Sequence, residues 1–179
     1  MPLPLGHLAI GLATSETLQA TDDRTTRWKL CLAVAILANL PDVDVILGLL
    51  WQGNGNLFHR GPTHSLAFAL LAGYIASQLW RLGRHIPRLN FTLCFSLVFS
   101  HVMADLLLTT APVSLFWPLH VYWSPGMSDW GTVVHAVVFQ GIQDAGILVA
   151  CAIYLSILKL MRGAPIHQRV PARSRQRFK

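Results

Sequence analysis

The sequence predicts an all-α, polytopic helical bundle embedded in a membrane, and three observations predict it. The 179 residues are 53% hydrophobic and only 12% charged, against roughly a quarter charged in an ordinary soluble domain. Four apolar stretches approach or exceed the ~20 residues that a helix needs to cross a hydrocarbon core. The basic residues gather in alternate connections between those stretches, as they do in membrane proteins of fixed orientation. The length suits one domain, with residues 1–162 in the membrane and residues 163–179 forming a basic tail.

The first segment, Leu3 to Leu18, is shorter and more polar than the others and reads as a tilted, interfacial or partly buried helix. Met1 to Ala20 lacks the Lys or Arg of a signal-peptide n-region, so the segment is expected to be retained. Leu30 to Trp51 is the first long membrane helix. Gln52 to Pro62 carries Gly53, Asn54, Gly55 and Asn56 and is a turn-rich loop. Gly61 and Pro62 mark the next helix start, because proline is tolerated at the first helical position. Thr63 to Trp80, Phe91 to Ala111 and Val134 to Met161 complete the set of four long membrane helices. From Gly163 onward Pro165, Pro171 and the loss of apolar periodicity predict disorder. Cys31, Cys94 and Cys151 stand alone, without CxxC spacing, and read as small core residues.

Arg24, Arg27 and Lys29 precede the first long helix, Arg81, Arg84 and Arg88 follow the second, and the tail follows the fourth. The intervening connections hold only Arg60. The predicted location is therefore a bacterial-type inner membrane, with the tail cytoplasmic and the Gln52–Pro62 and Pro112–Val133 connections outside. The net charge of +6 does not imply nucleic acid, because half of the basic residues lie from Lys159 to Lys179, where anionic lipid headgroups account for them.

Asp42, Asp44, His101 and Asp105 interrupt stretches that otherwise look membrane-spanning. A central Asp costs about 2.5 to 3.5 kcal/mol on insertion scales, so three left unpaired would cost on the order of 8 to 10 kcal/mol. With no Lys or Arg inside these segments, protonation, water or a bound cation must compensate them. His101 and Asp105, four residues apart, share a helical face and can bind one ion. Asp42 and Asp44 would point about 200° apart in an ideal helix, but Pro41 predicts a break there. Either both turn inward, or one is a ligand and the other a positioning group or catalytic base. FHRGPTHS at 58–65 adds His59, Arg60, Thr63, His64 and Ser65, and His7 joins if the first segment enters from outside. Imidazole with carboxylate suits zinc or another divalent transition metal rather than calcium. Arg60 suits a phosphate oxygen, because its guanidinium is planar and permanently charged.

The remaining polar residues carry simpler readings. His85, His120, His135 and His167 are expected to be ordinary hydrogen-bonded histidines. Gln140 and Asp144 share a helical face and read as interfacial polar groups. Trp117, Tyr122, Trp123 and Trp130 read as an aromatic belt.

On GHLAIG at 6–11, LPDVD at 40–44, HRGPTHS at 59–65, SHVMAD at 100–105 and FWP at 116–118, the chain resembles the YdjM family of membrane-bound metal-dependent hydrolases. That family is distantly similar to the zinc-dependent phospholipase C and P1 nuclease group of helical metalloenzymes. The resemblance implies His7, Asp42, His59, His64, His101 and Asp105 as metal ligands, and phosphoester hydrolysis as the reaction. The LLLTTAPVSLFWP stretch departs from the family pattern, which lacks several of these residues and carries a Gly before the WP. The later His and Glu ligands of the phospholipase group have no counterpart here. The expected function is thus a hydrolase using zinc, or manganese, to activate water against a phosphoester, with membrane lipids as its partners and a lipid-linked phosphoester as a candidate substrate. Asp44 or Asp42 would take the proton and Arg60 would hold the developing charge. The alternatives are a metal or proton carrier, or a structural membrane protein.

Overall fold

The computed structural model describes residues 4–18, 24–54, 59–83, 86–109, 111–119, 121 and 130–163. The regular elements among these residues are helices, α1 Pro4–Leu18, α2 Arg24–Ala38, α3 Val43–Gln52, α4 Leu66–Gln78, α5 Phe91–Leu108 and α6 Trp130–Gly163, joined by turns and irregular connections. Short 3-10 turns at Pro62–His64 and Leu79–Leu82 flank α4. Of the tail expected at 163–179, Gly163 ends α6 and residues 164–179 lie outside the described residues, as do His85, His120, Tyr122, Trp123 and His167.

The all-helical class holds, but the four long membrane helices do not. Among the described residues two helices are long and apolar enough to cross a membrane, within Phe91–Leu108 and Asp144–Arg162, or three spans if a bent pair counts as one. That pair is the expected Leu30–Trp51 helix, broken by 55° between Ala38 and Val43. Pro41 supplies no amide hydrogen and its ring crowds the preceding turn, so the helix cannot continue through it. The expected Thr63–Trp80 helix is also shorter, because Pro62–His64 winds as a 3-10 turn and the Ser65 hydroxyl then caps the helix, accepting from Phe68 N at 3.1 Å.

α5 is the central helix. Cys94, Leu97, Val98, His101, Val102, Ala104 and Asp105 form one buried stripe at three- and four-residue spacing. α1, α2 and α4 pack around it. On α4 the facing residues are small, Ala69, Gly73 and Ser77, and a β-carbon on Gly73 would lie 2.7 Å from Phe95 Cα. Close backbone approach through small residues is how helices associate where lipid offers no hydrophobic driving force. The face of α1 toward α2 and α5 likewise carries His7, Gly11 and Ser15 at four-residue spacing.

α6 packs on α1 from outside, and only 6% of its Asp144–Arg162 window is buried, against 44% for α5. Leu50 and Trp51 on α3 are 81% and 80% exposed. Such apolar surface is unsuited to water and suited to lipid. Of the cysteines, Cys94 is buried and Cys151 partly so, but Cys31 lies on the exposed face of α2 and is not a core residue.

Candidate metal centre

Four elements bring their polar residues to one end of the bundle. His7 comes from the first turns of α1, Asp42 and Asp44 from the break before α3, His59 and His64 from the connection into α4, and His101 with Asp105 from the last turns of α5. The α2–α3 break is what turns both aspartates inward: Asp42 occupies the N-cap position of α3 and Asp44 its first turn. The side chains of His7, His64, His101 and Asp105 are fully buried, and that of Asp44 is 2% exposed.

Carboxylate oxygens and imidazole nitrogens face one another across the centre. Asp105 lies 3.5 Å from His7 Nε2 through Oδ1 and 3.5 Å from His64 Nε2 through Oδ2. Asp42 Oδ1 lies 3.3 Å from His101 Nε2 and 3.6 Å from His64 Nε2. Asp44 Oδ1 pairs with His59 Nδ1 at 3.1 Å, while Oδ2 accepts from the Thr63 hydroxyl and lies 3.3 Å from His64 Nδ1. The His7 and His101 rings stack with centroids 3.7 Å apart.

The tautomer of His101 decides how to read this arrangement. Its Nδ1 lies 2.7 Å from the Ala38 carbonyl oxygen, which can only accept, so Nδ1 carries the hydrogen. In the neutral ring Nε2 then presents a lone pair to Asp42 Oδ1, another acceptor. Two acceptors at 3.3 Å repel unless a proton or a metal ion lies between them. With the imidazoles neutral, His7 Nε2, His64 Nε2, Asp42 Oδ1 and both Asp105 oxygens are buried without a hydrogen-bond partner, as is Arg60 Nε. Buried polar atoms are rarely left so in folded proteins, where a proton, a water or an ion completes them.

Three overlapping donor sets have the compactness to hold an ion: His7, His101 and Asp105; Asp42, His64 and His101; Asp44, His59 and His64. His101 has one nitrogen left after Ala38, so the first two sets compete for it. His64 has two and can serve both of its sets. Mixed imidazole and carboxylate donors suit zinc and similar divalent ions. In metal sites generally, an imidazole ligand donates its other ring N–H to a carbonyl or carboxylate, as His101 does to Ala38.

Arg60 adopts a left-handed backbone, φ 65°, unusual for a side chain of its size. Its carbonyl accepts from Ser114 N at 3.1 Å, and Nε lies 3.4 Å from Asp105 Oδ2. The segment after α5, in which the sequence departs from the family pattern, therefore clamps the His59–His64 connection: Leu115 also accepts from Leu66 N at 2.9 Å. The open edge of the centre runs along Asp42, Arg60 and His59, whose side chains are 18%, 10% and 8% exposed.

Every residue singled out from the sequence as a ligand or catalytic group thus reaches this cluster. Sequence reasoning missed the Ala38 carbonyl, which no residue type announces, and the role of Thr63, whose hydroxyl ties Asp44 to the His64 turn. Asp144 is buried on α6, whereas the centre's donors come from α1, α3, α5 and the connection into α4.

The fold and the cluster together define a helical membrane protein with a buried His/Asp centre at one end. Residues 1–165 match the family described as YdjM inner membrane protein, and the chain belongs to that family. It is 36% identical over 124 residues to the inner membrane protein YbcI of Escherichia coli (strain K12), covering 66% of this chain and 68% of that relative. No solved structure matches it.

Proposed function

We propose that the chain is a membrane-bound, metal-dependent hydrolase acting on a phosphoester. The observation that carries the reading is the facing of buried acceptors, His101 Nε2 and Asp42 Oδ1 above all, with no donor between them. A divalent cation, zinc or manganese, fits that donor set, and when bound it supplies Lewis acidity and an acidified water as nucleophile. Its ligands would be drawn from His7, His59, His64, His101, Asp42 and Asp105 according to which of the overlapping sets is occupied.

The chain's own groups divide the remaining work. Asp44 has both oxygens engaged, by His59 and by Thr63, so it fits a ligand or positioning role better than that of a base. Asp42 is the most open of the three carboxylates and is the better placed to take a proton from water arriving at the edge. Arg60 puts a fixed, fork-shaped positive charge at the same edge, where phosphoryl oxygens would arrive. A substrate carried on a membrane lipid would reach that edge by lateral diffusion.

The carrier alternative needs polar groups beyond the cluster. Leu30, Val34, Leu37, Ala69, Leu93, Cys94, Leu97 and Val98 fill the interior there instead. The test is elemental analysis of the detergent-purified full chain beside His64→Ala and Asp105→Ala variants, followed by turnover of chromogenic phosphomonoesters and phosphodiesters with zinc or manganese. Near-stoichiometric metal lost in both variants, with turnover lost in parallel, is the expected result. Folded protein that takes up no divalent ion would sink the proposal.

A further inference from the structure

At the end of the bundle away from the His/Asp centre, two depressions meet at Leu89. One is polar, about 390 Å³, and is lined by Ser77, Gln78, Trp80, Arg81, Arg88 and Asn90. Trp80 gathers its two guanidinium groups, with Arg88 Cζ 4.7 Å and Arg81 Cζ 5.7 Å from the indole ring centroid. Such stacking fixes an arginine without neutralising it. Among the described residues no carboxylate pairs with either. α5 also begins here, so its positive end adds to the same field.

The other depression is apolar, about 320 Å³, and runs along α2 past Trp28, Leu32 and Ile36, opposite Leu79 and Ile86, with Lys29 at its wall. From Trp28 to Leu37 a helix rises about 13 Å, close to the ~15 Å half-thickness of a hydrocarbon core. The depths agree as well. The candidate spans begin at Phe91 and Arg27, which sets the arginine pocket at the level of the headgroups and points the groove toward the bilayer middle.

We propose that this is a binding site for an anionic glycerophospholipid, with its phosphodiester on Arg81 and Arg88 and one acyl chain along α2. Charge complementarity selects this occupant. A neutral zwitterionic lipid gains less from two unpaired guanidiniums, a soluble glycerophosphate would leave the groove unfilled, and a second copy of the chain covering α2 would make no use of the arginines. The site is independent of the metal reading.

The experiment is native mass spectrometry of the delipidated full chain titrated with dioleoyl phosphatidylglycerol or dioleoyl phosphatidylcholine. One phosphatidylglycerol should bind at roughly tenfold lower concentration than phosphatidylcholine, given two arginine contacts. An Arg81→Gln/Arg88→Gln variant should erase that preference. Arg173→Gln/Arg175→Gln, which removes the same charge from the tail, should keep it, and glycerol phosphate should not compete. Equal binding of the two lipids, equal loss in both double variants, or effective competition by glycerol phosphate would each overturn the proposal.

Discussion

Single atoms decide the chemistry of the centre. Thr63 touches no candidate ion directly, but its hydroxyl holds Asp44 and approaches His64 Nδ1 at 3.1 Å. Thr63→Val should therefore lower metal affinity about 10- to 100-fold while leaving the helical content intact, as a competition titration against a zinc chelator would show. His64 supplies a pH signature. Burial works against its charge, yet the carboxylates of Asp105, Asp42 and Asp44 outweigh burial and raise its pKa from 6.5 to about 10 in the metal-free protein. A raised pKa means stability that is fully present below 6.5 and is lost as pH climbs through about 10. Thermal unfolding of chelator-treated protein should show that decline, and His64→Gln should flatten it. A slope unchanged by the variant would contradict the pairing. The candidate residues were legible from the sequence because carboxylates and imidazoles inside apolar stretches have few uses. Their pairing was not, since it depends on a backbone carbonyl and on which ring nitrogen carries the hydrogen.

At the scale of the element, the break between α2 and α3 and the delayed start of α4 explain where a purely apolar reading of the chain goes wrong. Apolar residues flank Asp42 and Asp44 on both sides from Leu30 to Trp51 and suggest one span, whereas the backbone turns by 55°. Pro41 was the visible signal for that turn, but its angle follows from packing and is not written in the residues. Gly73 was not singled out at all, because its importance lies in Phe95 across the interface. A β-carbon there would meet Phe95 Cα at 2.7 Å and N at 2.8 Å. Gly73→Val is expected to cost about 1–3 kcal/mol or more through overpacking. Gly146→Val on α6, where an added β-carbon meets nothing within 4 Å, should fall within about 0.5 kcal/mol of the parent. Thermal denaturation in one detergent compares them, and equal melting temperatures would refute the α4–α5 contact.

Across the whole molecule, charge and chemistry separate to opposite ends. Arg27, Lys29, Arg81, Arg88 and Arg162 sit at the starts of α2 and α5 and the ends of α4 and α6, away from the centre, where Arg60 is the basic side chain. Arg162 is tied to that far end by donating to the Glu16 carbonyl at 2.8 Å. The alternation of basic connections was readable along the chain, and the fold turns it into a spatial polarity. By the rule that basic connections stay cytoplasmic, Asn54→Cys should react with an impermeant maleimide on intact cells, in a background free of Cys31, Cys94 and Cys151. Gly83→Cys should react only after permeabilisation. The reverse pattern would put the centre on the cytoplasmic side.

The 3.5 Å approach of His7 to Asp105 joins the first helix to the fifth. On the metal reading, the set of His7, His101 and Asp105 cannot hold an ion until that late helix has entered the membrane and found the early one. Ion supply then becomes a condition of biogenesis as well as of activity: a chain made in a zinc-starved cell presents bare carboxylates to lipid and becomes a target for membrane proteases. Its steady-state amount should fall under chelation, and His7→Ala should bring the same shortage into metal-replete cells.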